Sequence, residues 1–285
     1  DWRPGDNLVG IAQEFPSNRI LWESLAPLGV AYRQLDLDAS PDPEAGLLAL
    51  CDNHTRLVAV SWVQYARGLR LDLERLSAGC RTRGILLGID AIQGLGALPF
   101  DLTATPADFV VADGHKWMLG PEGCGLFFTT PAFRSRLRPP SGWMNLRRAN
   151  PSAYEIGESP EYVDDAARFE IGALPMPGVY ALDASIGLLL EIGSAAVGER
   201  IRAVLSVLEE GLPRLGWEPV LHGQEVRSGI LAARPPAGTD ARRAMKELES
   251  NGVACSARAG FLRLSPHAGN EPEDAGRVLS LLGGL

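Results

Sequence analysis

Asp113-Gly114-His115-Lys116-Trp117 directly follows the apolar run Phe109-Val110-Val111-Ala112, and one apolar run earlier Ile85-Leu86-Leu87-Gly88-Ile89 ends on Asp90. A strand that carries a lysine into a loop, beside a strand that ends on an aspartate, is the minimum equipment for holding pyridoxal phosphate. The amine can form a Schiff base, and the carboxylate can keep the pyridine nitrogen protonated so that the ring withdraws electrons. A lysine after a strand is more often a solvated loop residue. The aspartate adds weight, because a carboxylate closing an apolar strand is costly to bury unless it meets a positive partner. Gln93, three residues on, is close enough in a turn to offer its amide to the phenolic oxygen of the same ring. His115 can donate to the phosphate or help position a substrate.

Outward from this run, the first half alternates short β-rich apolar runs with amphipathic patterns, as expected of a mostly parallel sheet covered by helices. The strands read as Leu8-Val9-Gly10-Ile11-Ala12, Val30-Ala31-Tyr32-Arg33-Gln34-Leu35, Leu57-Val58-Ala59-Val60-Ser61, Ile85 to Asp90, Phe109 to Ala112, and Gly125-Leu126-Phe127-Phe128. Between them, 18–28, 42–51 and 72–83 carry apolar residues at helical spacing, with Ser17, Pro41 and Leu71-Asp72 as starts. Gly94 and Gly96 form a Gly-x-Gly, but no third glycine follows in the order a dinucleotide-binding turn requires.

Region 138–177 changes character: Pro139-Pro140, Pro151, Pro160 and Pro175-Met176-Pro177 break long periodicity, while Trp143, Tyr154, Tyr162 and Phe169 are spread through it. It reads as an ordered excursion at the active site. Next comes a helical stretch over 179–215, broken near Gly193 or Gly198. The tail mixes strands Gly229-Ile230-Leu231-Ala232 and Phe261-Leu262-Arg263-Leu264 with helices over 239–251 and 271–282. The expected organisation is a large cofactor-binding domain over 1–178, a connecting helix over 179–215 and a small α+β domain over 216–285.

With 285 residues, 46% of them hydrophobic, the chain can bury a sizeable core, and its net charge of −8 without a basic run disfavours nucleic acid or an anionic membrane as partner. Cys51, Cys80, Cys124 and Cys255 have neither zinc-site nor disulfide-scaffold spacing, which suits reduced thiols in a cytoplasmic setting. No segment reaches the apolar length of a membrane span, and Asp1-Trp2-Arg3-Pro4-Gly5 lacks the basic and apolar parts of a signal peptide.

The stretch 58–128 resembles the class V aminotransferase family of fold type I pyridoxal phosphate enzymes, which includes cysteine desulfurases, selenocysteine lyases and isopenicillin N epimerases. His115-Lys116 followed by Gly120-Pro121-Glu122-Gly123-Cys124-Gly125 is its most specific part. Gly5-Asp6-Asn7, Glu14-Phe15-Pro16-Ser17-Asn18, Arg168-Phe169-Glu170-Ile171-Gly172 and Leu262-Arg263-Leu264-Ser265-Pro266-His267 extend it over nearly the whole chain. The resemblance implies an α/β fold with a mostly parallel seven-stranded-type sheet and a smaller C-terminal α+β domain, a homodimer and an amino acid substrate. It implies Lys116 as the Schiff-base lysine, Asp90 as partner of the pyridine nitrogen, Gln93 as donor to the ring oxygen and His115 at the phosphate. Arg263 would take the substrate carboxylate, which its planar fork matches.

The chain also departs from that pattern. Asp113 stands where a phosphate-binding serine is expected, and Ala173 where relatives offer a threonine to the partner's phosphate. A glycine-threonine phosphate loop and a ring-stacking residue are expected ahead of Gly5-Asp6-Asn7, so the sequence reads as N-terminally shortened. Transamination, epimerisation and β-elimination remain open. Two alternatives stand beside them: sulfur transfer through Cys255, disfavoured by its apolar strand-like setting, and a non-catalytic or truncated paralogue.

Overall fold

A computed structural model describes residues 1–147, 161–220 and 228–284. Pro151, Tyr154 and Pro160 of the Pro-rich excursion lie outside the described residues. The chain opens with β1 (Asn7–Ile11), α1 (Pro16–Glu23), β2 (Ala31–Leu35), α2 (Pro43–Ala49), β3 (Thr55–Ser61), α3 (Leu73–Arg83) and β4 (Leu86–Asp90). There follow β5 (Phe109–Asp113), β6 (Gly125–Thr129), the short α4 (Pro131–Arg134), α5 (Met176–Ile192) and α6 (Ser194–Gly211). The C-terminal part holds β7 (Glu218–Pro219), β8 (Leu231–Arg234), α7 (Ala241–Ser250), β9 (Ser256–Arg258), β10 (Phe261–Leu264) and α8 (Pro272–Leu282).

The main sheet runs in the order β2-β1-β3-β4-β5-β6, parallel throughout except for β6, which pairs antiparallel with β5. It has six strands among the described residues where the resemblance implies seven. Strand side chains alternate between two faces, and both are covered. Val9, Ile11, Val58, Val60, Leu87, Ile89, Val110 and Ala112 enter the large core shared with α3, α6 and α8. Leu8, Leu57 and Ala59 face a smaller cluster with Val30, against which Trp22, Tyr32 and Phe109 pack.

Helix starts follow local chemistry. Asp42 and Asp72 cap α2 and α3 by accepting from the amides of Ala45 and Arg75, and Gly84 ends α3 in the left-handed conformation. The first helix begins at Pro16, not near Ser17-Asn18, because proline's fixed φ suits the first helical position. The long helical stretch breaks at Gly193, where α5 and α6 meet at 81°. No single helix among the described residues is long and apolar enough to cross a membrane.

A second sheet, order β7-β8-β10-β9, is antiparallel. Its β9 and β10 are joined by the two residues Ala259-Gly260, both with positive φ (49° and 84°), the geometry of a tight primed hairpin. That turn sets the register Arg258↔Phe261 and Ser256↔Arg263 and so fixes where the two arginines stand.

Candidate active site

The carboxyl ends of parallel strands are where α/β sheets present ligand sites, at the point where the strand order reverses. Here the reversal lies between β1 and β3. The chain leaving β1 carries Glu14, Phe15 and Asn18, and β3 ends on Ser61. Glu14 is buried and accepts from both the amide and the hydroxyl of Ser61 at 2.6 Å, clamping the two strand ends together. Burial, opposed by these hydrogen bonds, holds the Glu14 carboxyl above its ordinary proton affinity.

A cleft of about 810 Å³ opens over these ends, and Asp90, Gln93, His115, Lys116 and Arg263 all line it, with Phe15, Asn18, Tyr65, Asp113, Cys124 and Arg258. All five residues singled out in the sequence therefore meet in one place. Asp90 closes β4, and both its oxygens are held by neutral donors: the Asn18 side-chain amide at 2.8 Å and the Ile92 backbone amide at 3.0 Å. The buried Gln93 accepts from the Trp117 indole at 3.1 Å, which leaves its amide hydrogens as donors.

Lys116 is held by a compact loop, in which Gly120 N–H donates to the Gly114 carbonyl and Leu119 takes a left-handed φ of 58°, a strained state for a branched side chain. Its amine lies 5.8 Å from the centre of the Phe15 ring, which itself meets Tyr65 edge-on at 5.2 Å. Burial lowers the proton affinity of this amine; Asp90 and Asp113 oppose that shift, and Arg263 and Arg258 reinforce it. The chain contains one other lysine, Lys246, exposed on α7. His115 Nδ1 stands 3.1 Å from Asp113 Oδ2.

Arg263 reaches the cleft from β10. Its Nη1 donates to the Tyr65 carbonyl at 2.7 Å, while its buried Nε has no hydrogen-bond partner. Burial, then Arg258, lowers its proton affinity. His267 binds the Trp117 carbonyl oxygen at 3.0 Å and stacks on its ring, so the two C-terminal signature residues both grip the main sheet. Cys255 stands apart: it is half-buried just before β9, packs against the main core and is not among the residues lining the cleft. Burial pushes its thiol up to about 11.

Sequence reasoning gave no role to Asn18, Tyr65 or Arg258. Only the fold brings Asn18 to Asp90, 72 positions away, and Tyr65 acts through its backbone, which no side-chain pattern reports. The glycines at 94 and 96 are explained by close approach: a Cβ on Gly94 would lie 2.2 Å from the Trp62 ring, and one on Gly96 2.2 Å from the Trp117 carbonyl oxygen.

A half-buried lysine of lowered proton affinity and an aspartate set over the carboxyl ends of a mostly parallel, helix-covered sheet define the class: an α/β protein built around a lysine cleft. The Aminotransferase class-V family model matches residues 1–262, and the chain belongs to that family. It is 29% identical over 220 residues to a probable cysteine desulfurase of Pyrococcus abyssi, covering 75% of this chain and 52% of that protein. A cysteine desulfurase of Yersinia pestis is 27% identical over 230 residues, covering 80% of this chain and 55% of that protein. The chain thus spans about half the length of the curated relatives it matches. Among solved structures, the cystine C–S lyase C-DES in complex with its product cysteine persulfide superposes with a TM-score of 0.89 at 22% identity. That match covers 99% of this chain and 76% of the other.

Proposed function

We propose that this chain holds pyridoxal phosphate at Lys116 and acts on an amino acid. One observation carries the reading: an amine whose proton affinity burial has lowered shares a cleft with a carboxylate that neutral donors hold at the end of the neighbouring strand. The residues fit the cofactor chemically. Asp90 offers an oxygen pair to a cationic ring nitrogen, Gln93 retains amide donors for a ring oxygen, and the unpartnered Nε of Arg263 is a donor without an acceptor. Bound there, the cofactor would supply the electron sink that makes the α-hydrogen of an amino acid acidic.

The protein's own part is to place and move charges. The lowered proton affinity of Lys116 gives its Nζ more of the neutral form, the form that would hold the cofactor's aldehyde with loss of water and, once displaced by the substrate's amine, would accept the substrate's α-proton. Asp90 balances positive charge at the floor of the cleft. Arg263 takes the substrate carboxylate and so fixes which bond at Cα faces Lys116. The apolar residues left exposed on β6 (Leu126, Phe127) and α5 (Tyr180, Leu190) support a homodimer.

The cysteine desulfurase relatives favour a sulfur-containing amino acid such as cysteine. The place of Cys255 outside the cleft lining favours carbon–sulfur cleavage without a persulfide on that residue. Adding pyridoxal phosphate should give a visible absorbance band that borohydride bleaches while fixing the cofactor to Lys116, and Lys116→Ala should abolish both; absence of a band overturns the reading. Cys255→Ala should leave sulfide release from cysteine unchanged, and its loss would move the assignment to desulfurase chemistry.

A further inference from the structure

Two guanidinium groups line the cleft, and only that of Arg263 has a task in the reading above. Arg258 ends β9 and stands opposite Phe261 in the hairpin register, so Arg263 is its diagonal neighbour on the same face of the small sheet. Such neighbours are about 7–8 Å apart at the backbone, within reach of long side chains. Beyond burial, Arg258 lowers the proton affinity of Arg263, and both arginines lower that of Lys116. The acids of the cleft do not offset this charge. Asp90 is held by Asn18 and the Ile92 amide, Asp113 faces His115, and no ion pair among the described residues joins either acid to an arginine. Arg263 uses Nη1 on the Tyr65 carbonyl and keeps its unpartnered Nε, with Nη2, as a two-pronged edge. Arg258 is exposed, and its guanidinium has no hydrogen bond or ion pair to another described residue.

We propose that Arg258 is a specificity-determining residue for an amino acid whose side chain ends in a second acid group: Arg263 takes the α-carboxylate, and Arg258 takes the distal anion. The inference rests on the cofactor reading and deepens it by naming the class of substrate. One carboxylate on the Nε–Nη2 edge of Arg263 leaves the charge of Arg258 unanswered. A second acid group answers it and relieves the repulsion between the two guanidinium groups. A thiol does neither, so among sulfur-containing amino acids the pair favours one whose sulfur bears acidic oxygens.

The test is calorimetric titration with succinate and with butyrate at about pH 8, where every carboxyl of both ligands is ionised, and at one ionic strength. These four-carbon acids differ only in bearing a carboxylate or a methyl group at the far end, so the ratio of their dissociation constants reads the distal acid alone. Arg258→Gln should lower the preference for succinate about fivefold, the effect of one exposed ion pair, while leaving butyrate within about twofold of the parent. Unchanged butyrate binding also shows that the variant is folded. Arg258→Lys should keep most of the preference, and Arg263→Gln should weaken both ligands. An unchanged preference in Arg258→Gln, equal weakening of both acids by it, or no binding of succinate to the parent overturns the proposal. If borohydride still fixes pyridoxal phosphate to Lys116 in that case, only this proposal falls. If nothing is fixed to Lys116, the cofactor reading falls and this inference with it.

Discussion

Lys116 and Lys246 are the chain's two lysines, and they sit in opposite environments: one half-buried over an aromatic ring, the other exposed on a helix. Withdrawing an ammonium from water favours its neutral form, so Lys116 should hold more free amine than an ordinary lysine at any pH below the usual lysine range. Treatment with pyridoxal and borohydride over a pH series, read by peptide mapping, should therefore modify Lys116 at lower pH than Lys246. Equal half-modification points would show that burial of the amine is ineffective. The pairing of Lys116 with Asp90 was legible because a charged residue ending an apolar run is conspicuous in a sequence. The support of Asp90 by Asn18 was not, because it comes from the first turn of α1, 72 positions away.

At the scale of elements, the loop from β1 to α1 is organised by the buried Glu14 carboxylate, which ties that loop to the end of β3. Its proton affinity is raised in the folded chain, so the fold binds more protons here than the unfolded chain does. This contribution is fully present below the ordinary carboxylate value and is lost as pH rises through the folded-state value. Glu14→Gln should therefore be less destabilising at about pH 8 than at about pH 4.5, as measured by denaturant unfolding. Glu14→Ala should cost about 2–3 kcal/mol by leaving the Ser61 donors unpaired. The six strands of the main sheet and the break at Gly193 could be read from apolar runs and glycine. β7 and β9 could not, because strands of two and three residues exist through pairing with β8 and β10 and leave no periodicity of their own. Predicting β8 two residues early has the same origin: Gly229-Ile230 continues the apolar run, but the pairing with β10 starts at Leu231.

For the molecule as a whole, the cleft is closed by contacts that bridge very distant parts of the chain. Arg263 bonds the Tyr65 carbonyl across 198 positions, Ser228 bonds the Gly68 carbonyl across 160, and His267 bonds that of Trp117 across 150. The parallel sheet, by comparison, grows from strand–helix–strand neighbours. Contacts between remote segments carry the larger loop-closure cost and form slowly. On refolding from denaturant, the far-ultraviolet signal of helices and strands should recover before the pyridoxal phosphate absorbance band; simultaneous recovery would show that the tail docks as early as the sheet forms. The tether between Arg263 and Tyr65 thus dates the site. A partly made molecule, with its sheet complete and Lys116 already in its loop, would still have no arginine opposite the lysine, so the carboxylate selectivity proposed for Arg263 would arrive only with the last segment of the chain to dock.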